Sequence, residues 1–259
     1  MILDTIVARK QEEVAALRGA PFELPPSFRE KKIDPPRGFC RALLEMSGVA
    51  IIAEAKKASP SKGVISPDFD PVAIARNYQQ KGATAISVLT DVDFFQGSLL
   101  YLLQVRETVQ LPVLRKDFII DELQIREASL YGADCILLIA AILDGYQLRD
   151  YQALARELGM DVLTEVHHEE ELDKALAAEC ELIGINNRNL KDFSMDLNTT
   201  FRLNKQIPDN IPVVSESGLK TTEDMARLRE VGICAALIGE TLMRDGADGN
   251  ILAELRGEG

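Results

Sequence analysis

Val49-Ala50-Ile51-Ile52-Ala53-Glu54-Ala55-Lys56-Lys57-Ala58-Ser59-Pro60 begins as an unbroken apolar run and ends on charge. The run, Val49–Ala53, is short and rich in β-branched side chains. A strand of a parallel sheet, covered on both faces, reads this way, whereas a half-exposed strand alternates. Seven further runs share the texture: Ala85–Leu89, Pro112–Leu114, Cys135–Ile139, Asp161–Leu163, Leu182–Ile185, Ile211–Val214 and Ala235–Ile238. They recur at roughly 20 to 35 residues, the length of a strand–helix unit with its return loop.

Between the runs lie stretches with an apolar stripe at helical spacing: Pro71–Lys81, Leu99–Val109, Asp121–Tyr131, Tyr146–Glu157, Glu169–Ala178, Thr199–Gln206, Thr222–Val231 and Asn250–Leu255. Several end in glycine, as at Lys81-Gly82-Ala83, Tyr131-Gly132-Ala133 and Val231-Gly232. Glycine there accepts the left-handed residue that closes a helix. Eight strand–helix units predict an α/β fold, a closed (β/α)8 TIM barrel with an N-terminal helical extension. An open doubly wound sheet is the competing reading. It would carry a Gly-rich GxGxxG after its first strand, where this chain has Glu54-Ala55-Lys56-Lys57-Ala58-Ser59-Pro60.

Residues 1–48 precede the barrel, which takes residues 49–259, the two forming one structural domain. Ile2, Leu3, Ile6, Val7, Val14 and Leu17 share one helical face. Pro21–Pro36 is a proline-punctuated linker and Phe39–Met46 a second short helix. The extension is expected to cover either the barrel bottom or side, or the active-site mouth.

Composition narrows the function classes. The chain has 259 residues, 46% hydrophobic and 27% charged, an ordinary globular profile. No apolar run reaches the roughly 18 residues needed to span a bilayer. The opening MILDTIVARKQEEV carries acids and does not read as a signal peptide, so the expected address is the cytoplasm. A net charge of −12 argues against nucleic acid or an anionic membrane as partner. Cys40, Cys135, Cys180 and Cys234 form no CxxC pair and read as packing residues. His167 and His168 are adjacent, should point to opposite sides, and lack HxxxH or HExxH spacing, so no metal is expected.

Catalytic groups of such barrels gather at the C-terminal ends of the strands, which all face one mouth. Those ends carry Glu54, Lys56 and Ser59; Thr90 and Asp91; Arg115, Lys116 and Asp117; Thr164 and Glu165; Asn186, Asn187 and Arg188; Ser215, Glu216, Ser217 and Gly218; and Gly239, Glu240 and Thr241. Ile52, Glu54 and Lys56 share a parity, so both charges can point inward. Of Arg115 and Lys116, one faces the mouth and the other packs outward. A lone charge is usually a solvated one. Several charges at matching strand ends are harder to dismiss, because burial there is costly unless they are paired or used. The stretches Ser215-Glu216-Ser217-Gly218-Leu219-Lys220 and Leu237-Ile238-Gly239-Glu240-Thr241-Leu242 set small residues beside helix N-termini after strands seven and eight. Barrels commonly bind phosphate there. Glu240 would repel a phosphate, so its side chain is expected to turn away, leaving only its N–H.

Together these segments resemble the indole-3-glycerol-phosphate synthase family. Ile51–Gly63, Leu114-Arg115-Lys116-Asp117-Phe118-Ile119, Thr164-Glu165-Val166, Ile183–Leu190, Ser215-Glu216-Ser217-Gly218 and Leu237-Ile238-Gly239 carry the likeness, with Arg37-Gly38-Phe39 and Phe94-Phe95-Gln96-Gly97-Ser98. It spans nearly the whole chain. The resemblance implies a cofactor-independent carboxy-lyase of tryptophan biosynthesis. Its substrate would be 1-(2-carboxyphenylamino)-1-deoxyribulose 5-phosphate, converted to indole-3-glycerol phosphate, carbon dioxide and water. It further implies that Lys116 is the general acid on the sugar carbonyl, with Glu165 its acid or base partner in dehydration. Glu54 and Asn186 would orient Lys116 and the substrate hydroxyls. Lys56 would be a cation near both carboxylate and phosphate. Ser59 and Arg188 belong to the same polar shell. Ser217, Gly218 and Gly239 match the phosphate cradle, where Glu240 departs from the serine of some members. Phe95, Phe118, Leu137 and Leu190 match the apolar pocket for the anthranilate ring. The lysine is expected to have a pKa drawn toward neutrality by a second lysine in a dry pocket.

A small phosphorylated substrate and a monomer are thus the expectation. Phosphoribosylanthranilate isomerase, on the same barrel, would use an Asp and a Cys where this chain has Glu54 and Lys56. A Schiff-base aldolase working through Lys116 is a second competing enzyme. An inactive barrel kept as a binding subunit is the competing reading outside catalysis.

Overall fold

The computed structural model describes residues 2–19, 23–30, 33–190, 192–246 and 249–257. Eight parallel strands close into a barrel: β1 (Ala50–Ala55), β2 (Ala85–Leu89), β3 (Val113–Lys116), β4 (Cys135–Ile139), β5 (Asp161–Val166), β6 (Ile183–Asn186), β7 (Val213–Glu216) and β8 (Ala235–Ile238), with β1 paired to both β8 and β2. Each coincides with one of the eight apolar runs. Yet β1, β3, β5, β6 and β7 run one to three residues beyond their runs, to Ala55, Lys116, Val166, Asn186 and Glu216. The polar residues that end the hydrophobic pattern still make ladder hydrogen bonds, because Asn186 pairs with Glu216 and Leu89 with Lys116. Several of the polar candidates, Glu54, Lys116, Glu165, Asn186 and Glu216, are therefore part of the strands themselves.

The helical layer follows the predicted stripes. Helices α3 (Pro71–Gln80), α4 (Leu99–Thr108), α5 (Glu122–Leu130), α6 (Gly145–Glu157), α7 (Glu169–Ala177), α8 (Asn198–Asn204) and α9 (Thr222–Glu230) each follow one strand. β8 is followed by two, α10 (Glu240–Asp245), which the stripe pattern does not single out, and α11 (Ile251–Arg256). Side-chain caps set several starts, with Asp70, Ser98 and Asp121 accepting from first-turn N–H groups and Asp144 and Thr221 forming capping boxes.

The extension divides between the two ends of the barrel. Its first helix, α1 (Ile2–Leu17), brings Ile2, Leu3 and Ile6 to the mouth. Its second, α2 (Phe39–Leu44), sends Phe39 and Leu43 into the core inside the barrel, against Ile52, Ala85, Leu114 and Leu163. Fully burying Phe39 contributes about 2–3 kcal/mol. Arg37 fixes that plug by donating to the carbonyls of Arg106, Val109 and Leu111, while Asp134 and Asp161 accept from the backbone N–H groups of Arg37 and Cys40. Both expectations for the extension thus hold, one for each helix. Of the linker Pro21–Pro36, residues 21, 22, 31 and 32 lie outside the described residues; the rest includes a 3-10 turn at Pro26–Phe28. Among the described residues no helix is long and apolar enough to cross a membrane.

Candidate active site

Alternation along the strands sorts the polar residues. Ile52, Leu114, Leu163, Val214 and Leu237 all lie in the cluster that fills the barrel interior. Two residues on, on the same face, stand Glu54, Lys116, Glu165, Glu216 and Gly239. The pleat thus stacks a charged layer on an apolar floor. Arg115, of opposite parity, points outward, where its guanidinium meets Asp117 (3.2 Å), Glu127 (3.0 Å) and the carbonyl of Gln124 (2.7 Å).

The layer opens into a cavity of about 1190 Å³ at the C-terminal ends of the strands. Glu54, Lys56, Ser59, Phe95, Lys116, Phe118, Leu137, Glu165, Asn186, Arg188, Leu190, Ser217, Gly218, Gly239 and Glu240 all line it, so the site residues read from the sequence are brought together. The Phe95 and Phe118 rings meet at 5.9 Å between centroids, forming one wall.

Lys116 is the hub. Its Nζ lies 2.6 Å from Glu216 Oε2 and 3.5 Å from Glu165 Oε2. Lys56 pairs with Glu54. Here the structure corrects the electrostatic expectation: Lys116 is not drawn toward neutrality. Burial opposes its charge, but attraction to Glu216, Glu165 and Glu54 outweighs burial and holds the ammonium more firmly protonated than an ordinary lysine. Glu54 orients Lys56 directly and acts on Lys116 only through space.

The two acids beside Lys116 are driven apart. Burial disfavours both charges. For Glu165, Lys116, the imidazole of His167 and a side-chain hydrogen bond with Asn186 overcome that penalty and hold the carboxyl well below the usual range. For Glu216, burial and repulsion from Glu165 prevail over the pull of Lys116 and push the carboxyl up. Neighbouring carboxyls with opposite shifts are the pattern of an acid and a base sharing one site.

Two glycines make room for this layer. A Cβ on Gly184 would stand 2.1 Å from Glu216 Oε1, and one on Gly239 would stand 2.2 Å from Glu54 Oε1. Gly239 thus makes room for a carboxylate of the charged layer as well as opening its loop. Ser217 and Gly218 turn the chain with φ of 68° and 84°, and the hydroxyl of Thr241 donates to the carbonyl of Leu219 (2.8 Å), joining the loops after β7 and β8. A left-handed serine is sparsely populated and marks a backbone fixed by its surroundings. Glu240 does not turn away from the cavity as expected. Arg244 (3.0 Å) and Arg188 (3.8 Å) hold its carboxylate at the rim, which offsets its charge in place.

Glu216, placed at the mouth by the sequence but given no role there, joins the site, as do His167, read only as a non-ligand of metal, and Lys10, not singled out at all. Parity with Val214 was the available signal for Glu216. Lys10 breaks the buried stripe Ile6–Lys10–Val14 of α1, and its Nζ lies 2.9 Å from each of Glu13, Asp91 and Asp117. Asp91 accepts from the N–H groups of Phe94 and Phe95, and Asp117 from that of Phe118. The lysine therefore ties the helix over the mouth to the loops that carry the aromatic wall.

Comparison with known proteins gives the family. The family model for indole-3-glycerol phosphate synthase matches residues 3–255. An indole-3-glycerol phosphate synthase of Desulfotalea psychrophila is 69% identical over 98% of both chains. One of Chlorobium chlorochromatii is 52% identical over 93% of this chain and 94% of its own. Among solved structures, KGPDC from Streptococcus mutans aligns with a TM-score of 0.63 at 10% identity, covering 82% of this chain and 97% of that one. The N-acetylmannosamine-6-phosphate 2-epimerase from Clostridium perfringens aligns with a TM-score of 0.60 at 16% identity, over 75% of this chain and 88% of its own. Those two share the fold. The family model and the full-length relatives go further, and by them this chain belongs to the indole-3-glycerol phosphate synthase family.

Proposed function

We propose that the cavity closes the indole ring of 1-(2-carboxyphenylamino)-1-deoxyribulose 5-phosphate with Lys116 as the general acid. The observation that carries this assignment is the half-buried Lys116 ammonium, 2.6 Å from Glu216 and 3.5 Å from Glu165. A lysine kept charged donates a proton to the sugar carbonyl as the aromatic ring carbon attacks it. The new carbon–carbon bond forms, carbon dioxide leaves with its bonding electrons returned to the ring, and the former carbonyl oxygen, now a hydroxyl, takes a second proton from Lys116, recharged by Glu216, and departs as water. Glu165, held ionised, takes the proton released in that dehydration. Glu216, pushed up and touching Lys116, is placed to return a proton to it.

Substrate contacts follow from the lining. Phe95, Phe118, Leu137 and Leu190 offer an apolar slot for the anthranilate ring, and an apolar surrounding favours loss of carbon dioxide from its carboxylate. Ser59, Arg188, Asn186 and Ser217 offer polar contacts. Lys56, Gly218, Gly239 and the N–H of Glu240 are assigned to the phosphate end. Every proton has a side chain to move it, so the reaction as proposed needs no cofactor. A monomer in the cytoplasm, taking a small phosphorylated substrate, completes the reading.

Absorbance or fluorescence detection of indole formation from the carboxyphenylamino ketose phosphate tests it. Turnover is expected, and folded protein without turnover overturns the proposal. A Schiff-base lysine must be neutral to attack, which three carboxylates around Lys116 disfavour. Borohydride should therefore trap no adduct on Lys116.

A further inference from the structure

His167 lies outside the roles assigned so far. It follows β5, its side chain is only 9% exposed, and both ring nitrogens face carboxylates. Nδ1 is 2.9 Å from Glu171 Oε2, and Nε2 is 3.3 Å from Glu165 Oε1. Glu171, in the first turn of α7, also accepts from the backbone N–H of His167 at 2.7 Å. An imidazole cannot put a bare lone pair toward a carboxylate without repulsion. With an acid hydrogen-bonded to Nδ1 and another within ion-pair distance of Nε2, the imidazolium is the form that suits both sides.

We propose that His167 is a positioning residue: as an imidazolium bridging Glu171 and Glu165, it holds Glu165 ionised and aimed at Lys116. This rests on the reading of Glu165 as the proton acceptor. The charged groups around the bridge are Glu171 and His168 from its own segment, Lys116 of β3 and Glu216 of β7, with the amide of Asn186 of β6. Lys116 alone faces several acids and is shared among them. The imidazolium contributes the second positive charge to Glu165 and none to Glu216, which accounts for the opposite shifts of the two acids. Burial opposes the imidazolium, but Glu165 and Glu171 push His167 up to about 10.

The chain has only two histidines, so 15N-histidine labelling gives a simple spectrum, and His168→Asn assigns it. In the ligand-free protein, His167 is expected to stay doubly protonated at pH 8, with a midpoint that drops by about one pH unit in Glu165→Gln. A neutral His167 at pH 8, or a midpoint indifferent to Glu165→Gln, overturns the bridge whether or not the protein turns over. In kinetics, His167→Gln is expected to lower kcat roughly tenfold, leave KM within about twofold, and move the acid limb of kcat up by about one pH unit. His167→Asn keeps a donor but no charge and should show the same limb shift. An unshifted limb in both variants overturns the electrostatic role. Failure of the wild type to close indole, with the NMR result intact, sinks the function and leaves the bridge standing.

Discussion

Lys116 Nζ and Glu216 Oε2 stand 2.6 Å apart across the barrel mouth, 100 residues apart in sequence. Glu216 is pushed up while Glu165, which shares the same ammonium, is pushed down. If Glu216 returns the proton that Lys116 donates, Glu216→Gln should lower kcat on the order of 100-fold and leave KM within about threefold. Steady-state kinetics checks this. A raised KM at unchanged kcat would assign Glu216 to binding.

Lys116 also holds the acids together. Lys116→Met should abolish most of kcat and destabilise the fold by about 3–5 kcal/mol at pH 8, because buried carboxylates lose their cation. Without it, Glu216, already pushed up, rises further, and Glu165 keeps only His167 and Asn186 against burial and moves up. Such groups give stability at low pH that is lost as pH rises through the folded pKa. The stability gap to the wild type, read from urea unfolding, should therefore widen from pH 5 to pH 8.

The layer needs the missing Cβ of Gly184. Gly184→Ala puts a methyl 2.1 Å from Glu216 Oε1, which must move although no polar group is removed. The expected cost is about 1–3 kcal/mol of stability. The kcat should fall roughly tenfold as the proton partner leaves Lys116. Denaturation and kinetics on one variant measure both.

Lys10 joins α1 to Asp91 and Asp117 in a buried cluster. Burial opposes its charge, but the two aspartates hold it above the ordinary lysine range, and Asp117 is correspondingly depressed by Arg115 and Lys10. Lys10→Met should cost about 3–5 kcal/mol and raise KM by loosening the aromatic wall. The depressed Asp117 adds stability that is present above its unfolded value and lost as pH falls through its folded one. Acid unfolding of the wild type below about pH 4 should therefore be shallower in the variant.

Glu240 occupies Arg188 and Arg244 at the rim, beside the loop proposed to hold the phosphate. Glu240→Ser should free both guanidiniums and lower KM, and the inhibition constant of inorganic phosphate, by about three- to tenfold. Inhibition kinetics at fixed ionic strength checks this. Unchanged constants would place the phosphate elsewhere in the cavity.

Sequence by itself determined the barrel. Eight continuous apolar runs, separated by amphipathic stripes, leave few ways to bury strands on both faces, and that pattern is local. It also brought Glu54, Lys56, Glu165 and one of Arg115 and Lys116 to one mouth, since strand direction follows from the chain alone, and the closed barrel chose Lys116. The tertiary structure decided what those charges experience. Whether Lys116 meets a second lysine or several acids depends on β3, β5 and β7 curving round a common axis, a relation between residues far apart in the chain. The same closure turned His167 from an isolated histidine into a bridge between two acids, and Lys10 from a gap in an apolar stripe into a buried anchor. Periodicity reports which face a residue takes. Its pKa and its partners are set by the other strands and helices that share that face.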